Sequence, residues 1–425
     1  MRVLFTTYSQ KTHFLAMAPL AWALRTAGHE VCFAVQPKFA DVVTQAGLTA
    51  VPVGGDRDLW QIMNRNLTWL YAGENGLPIP YDTAEWAPED VTWDHLWYGY
   101  DVQIKRWHKV SNVPIITDVV EFARQWQPDL VIWEPVTYAG ALAAKACGAA
   151  HARLLFSLDT FGVTRAHFHR VVNALPPDER HDPFAEWLEP YARKYGFEFS
   201  EELITGQFTI GLLPPALRLE AELNYLPMRY LPYGGPAVVP KWLWEDPGRP
   251  RVALTMGLSA TDTDVGYAIS VQDILDVLAD LDIELVATVS EQEQAKLARI
   301  PDNARLVPFV PLPALAPTCA AVIHHAGFGT LATVASYAVP QLAVARDSDG
   351  PALARRVEAH GAGLALDATS TSAKEIRECL LRLLSEPSFQ AGADRLRDEI
   401  LAMPTPNELV RQLEDRTASH RAATQ

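Results

Sequence analysis

The chain opens on a short apolar run, Val3-Leu4-Phe5, that ends in Thr6-Thr7 and a polar loop reaching Thr12. Apolar residues then recur at Leu15, Met17, Leu20, Ala23 and Leu24 before Gly28, the spacing of one helix face closed by a glycine. Val31 to Val35 is a second apolar run. Strand, helix and strand in close succession begin a parallel α/β sheet, because parallel strands need a crossover between them. Asp129 to Trp133 reads as a later strand of that sheet, followed by a small-residue helix over Ala141–Ala146.

The same pattern starts afresh late in the chain. Arg251–Met256, Ile283–Val289, Ala304–Val307, Ala321–Ile323 and Gln341–Val344 read as strands with helical segments between them. A stretch rich in proline and glycine, from Pro232 to Pro240, separates the two patterns. The predicted fold class is therefore α/β, with two Rossmann-like domains facing a central cleft as the default ligand site. The boundaries expected are a first domain over 1–232, a linker over 233–248, a second domain over 249–405 and a terminal helix or tail over 406–425.

One stretch fits neither pattern. A helical excursion at about 57–112 carries Trp60, Trp69, Trp86, Trp93, Trp97 and Trp107 with Tyr71, Tyr81, Tyr98 and Tyr100. Such residues either pack on each other or present a wall to a flat apolar ligand or a partner. Trp69, Trp97 and Tyr100 are the candidates for the wall.

Composition narrows the function classes. The 425 residues include 36 basic and 51 acidic ones, a formal charge of −15, which argues against a nucleic-acid surface. An anionic ligand must then be held by local donors. Cys32, Cys147, Cys319 and Cys379 are scattered and read as reduced residues rather than disulfides or metal ligands. Ser9, Gln10, Lys11 and His13 interrupt any signal-peptide core and no long apolar run follows, so a cytoplasmic protein with no membrane association is expected.

The strand Ala321–Ile323 runs into His324-His325-Ala326-Gly327-Phe328-Gly329-Thr330 and then a helix over Leu331–Tyr337. Small residues let backbone approach a ligand, and a helix start offers unpaired N–H groups and a positive dipole end. A diphosphate suits that cradle, with His325 as a further donor. A tight structural turn is the other reading of a G-x-G alone. Further on, Asp347-Ser348-Asp349-Gly350 precedes another helix, where an acid either accepts from sugar hydroxyls or caps the helix. Asp262-Thr263-Asp264, Asp347-Ser348-Asp349 and His167-Phe168-His169 bring no third ligand with them, so no metal is assigned. In the first domain, His13 follows the first strand and Glu134 ends the strand Leu130–Trp133. Strand ends of one parallel sheet share a crevice, so His13–Glu134 is a candidate base with its orienting carboxylate.

With these residues in hand, the chain resembles the family 1 glycosyltransferases of actinomycete antibiotic pathways, above all those that decorate macrolide and anthracycline polyketides. The resemblance rests on Met1–Thr6, Thr12-His13-Phe14, Pro19–Glu30, Pro128–Pro135, Ile323–Thr330, Val339–Leu342 and Gly361-Ala362-Gly363, and spans nearly the full chain. It implies the GT-B fold and metal-independent, inverting transfer of a deoxysugar from a dTDP-sugar, a substrate rather than a cofactor, to a polyketide aglycone. It assigns His13 as general base, Glu134 as its support, and His325, Ala326, Gly327, Gly329 and Thr330 to the diphosphate. Gly257 and Ser259 approach the phosphates, Phe309 and Val310 the nucleobase, and Asp349 with Gly350 the sugar. Ala326, Phe328 and Gly350 depart from what relatives often carry. Relatives close in style often need an auxiliary protein resembling a cytochrome P450 that lacks its haem ligand, docked where this chain has its aromatic excursion; a homodimer is also compatible. A nucleotide-sugar 2-epimerase of the same fold and an inactive nucleotide-sugar-binding protein are the alternatives.

Overall fold

A computed structural model describes residues 1–56, 76–257 and 269–424, which divide into two compact units. The first unit is built on seven strands: β1 (Arg2–Thr6), β2 (Glu30–Val35), β3 (Ala50–Pro52), β4 (Leu130–Trp133), β5 (Ala150–Leu154), β6 (Phe208–Gly211) and β7 (Tyr225–Pro227). They lie in the order β3-β2-β1-β4-β5-β6-β7, every pair parallel. Helices cover both faces of such a sheet, so its central strands read as continuous apolar runs; Val3, Leu4, Phe5 and Leu130–Trp133 are fully buried.

Helix α1 (Lys11–Thr26) follows β1 with its apolar stripe buried, and Gly28, at φ +90°, takes the left-handed turn after it. Helix α2 (Trp93–Gln103) lies in the aromatic segment, α3 (Ala139–Cys147) follows β4, and α4 (Thr160–Asn173) follows β5. β5 was not among the strands expected, because Ala150-His151-Ala152-Arg153-Leu154 looks too polar for a central strand. It is nonetheless wholly buried: Arg153 forms a bidentate pair with Asp159, both side chains out of solvent, and its Nε donates to Thr205 O at 2.8 Å. A buried charge is tolerated only when paired and hydrogen-bonded in this way.

The second unit repeats the plan with β8 (Arg251–Thr255), β9 (Glu284–Thr288), β10 (Ala304–Val307), β11 (Ala321–His324), β12 (Gln341–Ala345) and β13 (Gly363–Asp367). Their order is β10-β9-β8-β11-β12-β13, again all parallel. Helix α5 (Phe328–Ser336) follows β11 and α6 (Gly350–His360) follows β12. The proline- and glycine-rich stretch from Tyr230 onward groups with this second unit.

After Met403 the chain belongs to the first unit again. Helix α7 (Pro406–Thr424) packs on α1 and β5, tied by His29 Nε2 to Glu414 at 3.0 Å and by Arg416 to Asn224 Oδ1 at 3.1 Å. The backbone N–H of Arg229, where the chain leaves that unit, donates to Pro404 O, where it returns, at 2.7 Å. Among the described residues no helix is long and apolar enough to cross a membrane.

Candidate active site

In each sheet the strand order reverses once, between β1 and β4 in the first and between β8 and β11 in the second. At such a switch point the two connections leave in opposite directions and open a crevice past the strand ends. Registers place the residues there. Thr6 is opposite Trp133, so the residues just past the pair are Thr7 and Glu134. Thr255 is opposite His324, so the residues just past that pair are Met256 and His325.

The Glu134 carboxylate is fully buried and surrounded by donors. Oε1 accepts from the Tyr8 N–H at 3.2 Å and from the Thr137 hydroxyl; Oε2 accepts from the Val136 N–H at 3.1 Å and faces His13 Nδ1 at 3.3 Å. With Nδ1–H given to Glu134, the His13 lone pair lies on Nε2, the state a base requires. His13 is 7% exposed, on the first turn of α1, with Phe156 stacked on its ring at 3.9 Å and Tyr8 meeting it edge-on at 5.5 Å.

The two adjacent histidines of the second unit do different work. His324 is sealed in: Nε2 pairs with Gln341 Oε1 at 2.8 Å, and Nδ1 accepts the Ala326 N–H at 3.0 Å. Burial, with the neighbouring His325 adding to it, pushes His324 down to about 3, so it stays neutral and acts as a strut under the turn. His325 is half-buried, and among the described residues its covered Nδ1 has no hydrogen-bond partner. Burial holds its imidazole below the ordinary range, opposed by the Asp347 charge and a backbone contact at Thr255.

Two glycines make room for the His325 ring. A Cβ at Gly257, which sits at φ +80°, would lie 2.2 Å from His325 Cε1, and one at Gly327 would lie 2.3 Å from Nε2. Ala326 adopts φ +65°, a left-handed conformation that costs a residue with a Cβ about 1–2 kcal/mol. Its methyl is fully buried with Ala343, Ala345 and Ala354. Gly327 caps α5 without a side-chain hydrogen bond and the first turn holds no acid, so neither competes with an anion for the first N–H groups. Phe328 packs edge-to-face on Tyr230 at 5.1 Å, so the large residue at this position is absorbed by the core side. Thr330 is half-buried, and the Gly329 carbonyl accepts from Thr333 Oγ1 at 2.6 Å.

Asp349 occupies the cap position of α6, but its side chain does not cap the helix. Gly350 lies against this same corner: a Cβ there would meet His325 O at 3.5 Å and Ala326 Cβ at 3.6 Å. Phe309, beyond β10, is 45% exposed, while Val310 is buried in a small cluster with Leu243 and Val322. Ser259, Asp262–Asp264 and Trp69 lie outside the described residues.

The aromatic wall needs correction at Tyr100. Tyr100 is 1% exposed and packs against Phe168 and Phe184, so it is a core residue with no face left for a ligand. Trp97 is 42% exposed on α2, where it faces solvent. The rings beside His13 are Tyr8 and Phe156, with Phe161 6.4 Å beyond Phe156. The usable signal was a phenylalanine just past β5, a strand that sequence reasoning did not recognise.

Known proteins match the chain along nearly its whole length. Residues 22–257 match the model for the N-terminal domain of erythromycin biosynthesis protein CIII-like proteins, and residues 272–416 match that for the C-terminal domain. The chain is similar to 10-deoxymethynolide desosaminyltransferase of Streptomyces venezuelae, 46% identical over 99% of this chain and 98% of the relative. It is also similar to aclacinomycin-T 2-deoxy-L-fucose transferase of Streptomyces galilaeus, 44% identical over 99% and 97%. Among solved structures, the glycosyltransferase VinC in complex with dTDP superposes with a TM-score of 0.87, at 40% identity, covering 99% of this chain and all of that one.

Proposed function

The chain belongs to the family of erythromycin biosynthesis protein CIII-like glycosyltransferases and has their GT-B fold, and from that premise we propose that it moves a deoxysugar from a dTDP-sugar to a hydroxyl of a polyketide aglycone, macrolide or anthracycline in type, with inversion. The observation that carries the reading is Glu134, a buried carboxylate faced by donors on both oxygens, one of them His13.

The proposed chemistry has two parts. In the first, His13 Nε2 takes the proton of the acceptor hydroxyl as its oxygen bonds to the anomeric carbon, and Glu134 stabilises the imidazolium that forms. In the second, the bond from that carbon to the diphosphate breaks. The departing charge is met by the free N–H groups at the start of α5 and by His325, so the reaction is written without a metal. Asp349 contacts the sugar and Phe309 offers its exposed ring to the nucleobase. The relatives named above are transferases, and the epimerase reading is set aside.

Mass spectrometry of products from a panel of dTDP-deoxysugars and polyketide aglycones tests the reading, and transfer to no aglycone would overturn it. His13→Ala should abolish most turnover while dTDP still binds; unchanged turnover would remove His13 from the mechanism. We also propose that a P450-like auxiliary protein raises the rate. The half-exposed Trp86, Trp97 and Tyr98 support a docking surface there, and a full rate from the purified chain alone would contradict it.

A further inference from the structure

Among the described residues, His13 has one polar tether. The contact of its Nδ1 with Glu134 Oε2 is 3.3 Å long, and a single bond of that length leaves the ring free to tilt about the bond axis. A base whose lone pair wanders loses much of the benefit of being placed, since a misplacement of about 1 Å costs on the order of 100-fold in rate. Something else must hold the ring plane.

Phe156 is in the position to do so. Its ring lies 3.9 Å from the imidazole centroid, with the two planes only 27° apart. It sits just past β5 in the short loop before α4, and both ends of that loop are pinned. The Leu155 N–H donates to Ile210 O at 2.9 Å, and Asp159 is clamped by Arg153, by the Gly162 N–H at 2.8 Å and by the Tyr225 hydroxyl at 2.7 Å. Its apolar neighbours Leu154, Leu155 and Leu158 are buried, whereas Phe156 is only half-buried. Phe156 packs on the core of the first unit and also lies flat on the imidazole of the buried His13–Glu134 pair.

We infer that Phe156 is a positioning residue for His13: it fixes the plane of the imidazole, and its π face favours the imidazolium formed as the acceptor proton arrives. The inference rests on the reading of His13 as the base. Glu134 at the end of β4 and Tyr8 after β1 are the titratable groups facing the imidazole among the described residues. Glu134 supports the same charge from the ring edge, while Phe156 does so from the ring face.

The test compares Phe156→Leu, Phe156→Met and Phe156→Tyr in the full chain, with melting temperature and dTDP affinity as controls. Leu and Met should lower kcat about 10- to 100-fold with the donor KM little changed. They should also move the acid limb of the kcat/KM profile to lower pH by about half a unit to one unit, since an unsupported imidazolium loses its proton more readily. Tyr, which keeps the ring, should retain both. In the parent protein the His13 Cε1–H resonance, identified by its loss in His13→Ala, should lie upfield from the ring current of Phe156. An unshifted resonance, or a folded Leu or Met variant with the parent rate and pH profile, overturns the inference. Turnover surviving in His13→Ala would instead strike at the base assignment beneath it.

Discussion

Replacing Glu134 with glutamine changes one atom type and almost no volume, yet the hydrogen-bond map makes it severe. The carboxylate oxygens face donors only: Tyr8 N–H and Thr137 O–H on one side, Val136 N–H and His13 Nδ1 on the other. An amide has one oxygen and one NH2, so a buried backbone N–H ends up opposed to another donor whichever way it is turned. That costs about 1–3 kcal/mol, a loss of several degrees in melting temperature. The kinetic cost depends on orientation. If the NH2 faces His13, the imidazole accepts on Nδ1, its proton moves to Nε2, and the base is lost, a situation that in the serine-protease triad costs about 10⁴ in kcat. If the oxygen faces His13, the tautomer survives but a charge-assisted bond worth about 1.5–3 kcal/mol becomes a weaker neutral one, for roughly 10- to 100-fold. The expected range is thus about 10- to 10⁴-fold in kcat, with dTDP affinity unchanged because those residues are untouched. Product formation and dTDP release, read on the donor–acceptor pair found in the panel, provide the assay. A folded Glu134→Gln enzyme within about threefold of the parent kcat would show that the carboxylate only holds the backbone together, and the dyad would fall.

The second unit gives its own tests. His325→Ala should lower kcat by about 10²–10³ if its imidazole meets the leaving charge, and calorimetry with dTDP should show weaker binding; unaltered binding and rate would leave the ring without a role. Gly257→Ala and Gly327→Ala put a methyl into the space of that same ring, so both should lose dTDP binding while the chain still melts cooperatively; normal affinity in both would show that the ring moves aside at no cost. Stability should also depend on pH. Burial pushes His108 and His324 down from 6.5 to about 3, so each takes up a proton on unfolding but not when folded. Stability is therefore lost as pH falls from about 6.5 toward 3, by about 1.4 kcal/mol per pH unit for each. Melting curves between about pH 7 and pH 5 should show the decline, and His108→Phe should flatten it; an unchanged slope would mean that the group is not held neutral.

Much of this architecture was legible in the chain because apolar runs bounded by turns mark central parallel strands well. β1, β2, β4 and β8 to β12 all announce themselves so, and with them the strand ends that carry Glu134 and His325 and the helix start that carries His13. What stayed hidden depends on long-range pairing. β5 contains a histidine and an arginine whose burial makes sense only once Asp159, on the loop beyond, neutralises the guanidinium. With β5 unread, Phe156 had no strand end to belong to. The division of labour between His324 and His325 turns on Gln341, seventeen residues away, reaching back from β12 to fix one ring. Aromatic richness misled at Tyr100, which is core, whereas Trp97, a turn earlier on the same helix, meets solvent.

The bond between Arg229 and Pro404 has a practical consequence for anyone recombining such enzymes. Apart from Leu213–Leu217, the second unit is one insertion in the first unit's sequence, and the final helix is the far bank of that insertion. A chimera made by exchanging everything after Arg229 would graft a foreign α7 onto α1 and β5, breaking the fit of Glu414 to His29 and of Arg416 to Asn224. A cassette cut at 230 and 403 would carry the main part of the second unit alone, and leave the host's last helix where it was made to fit.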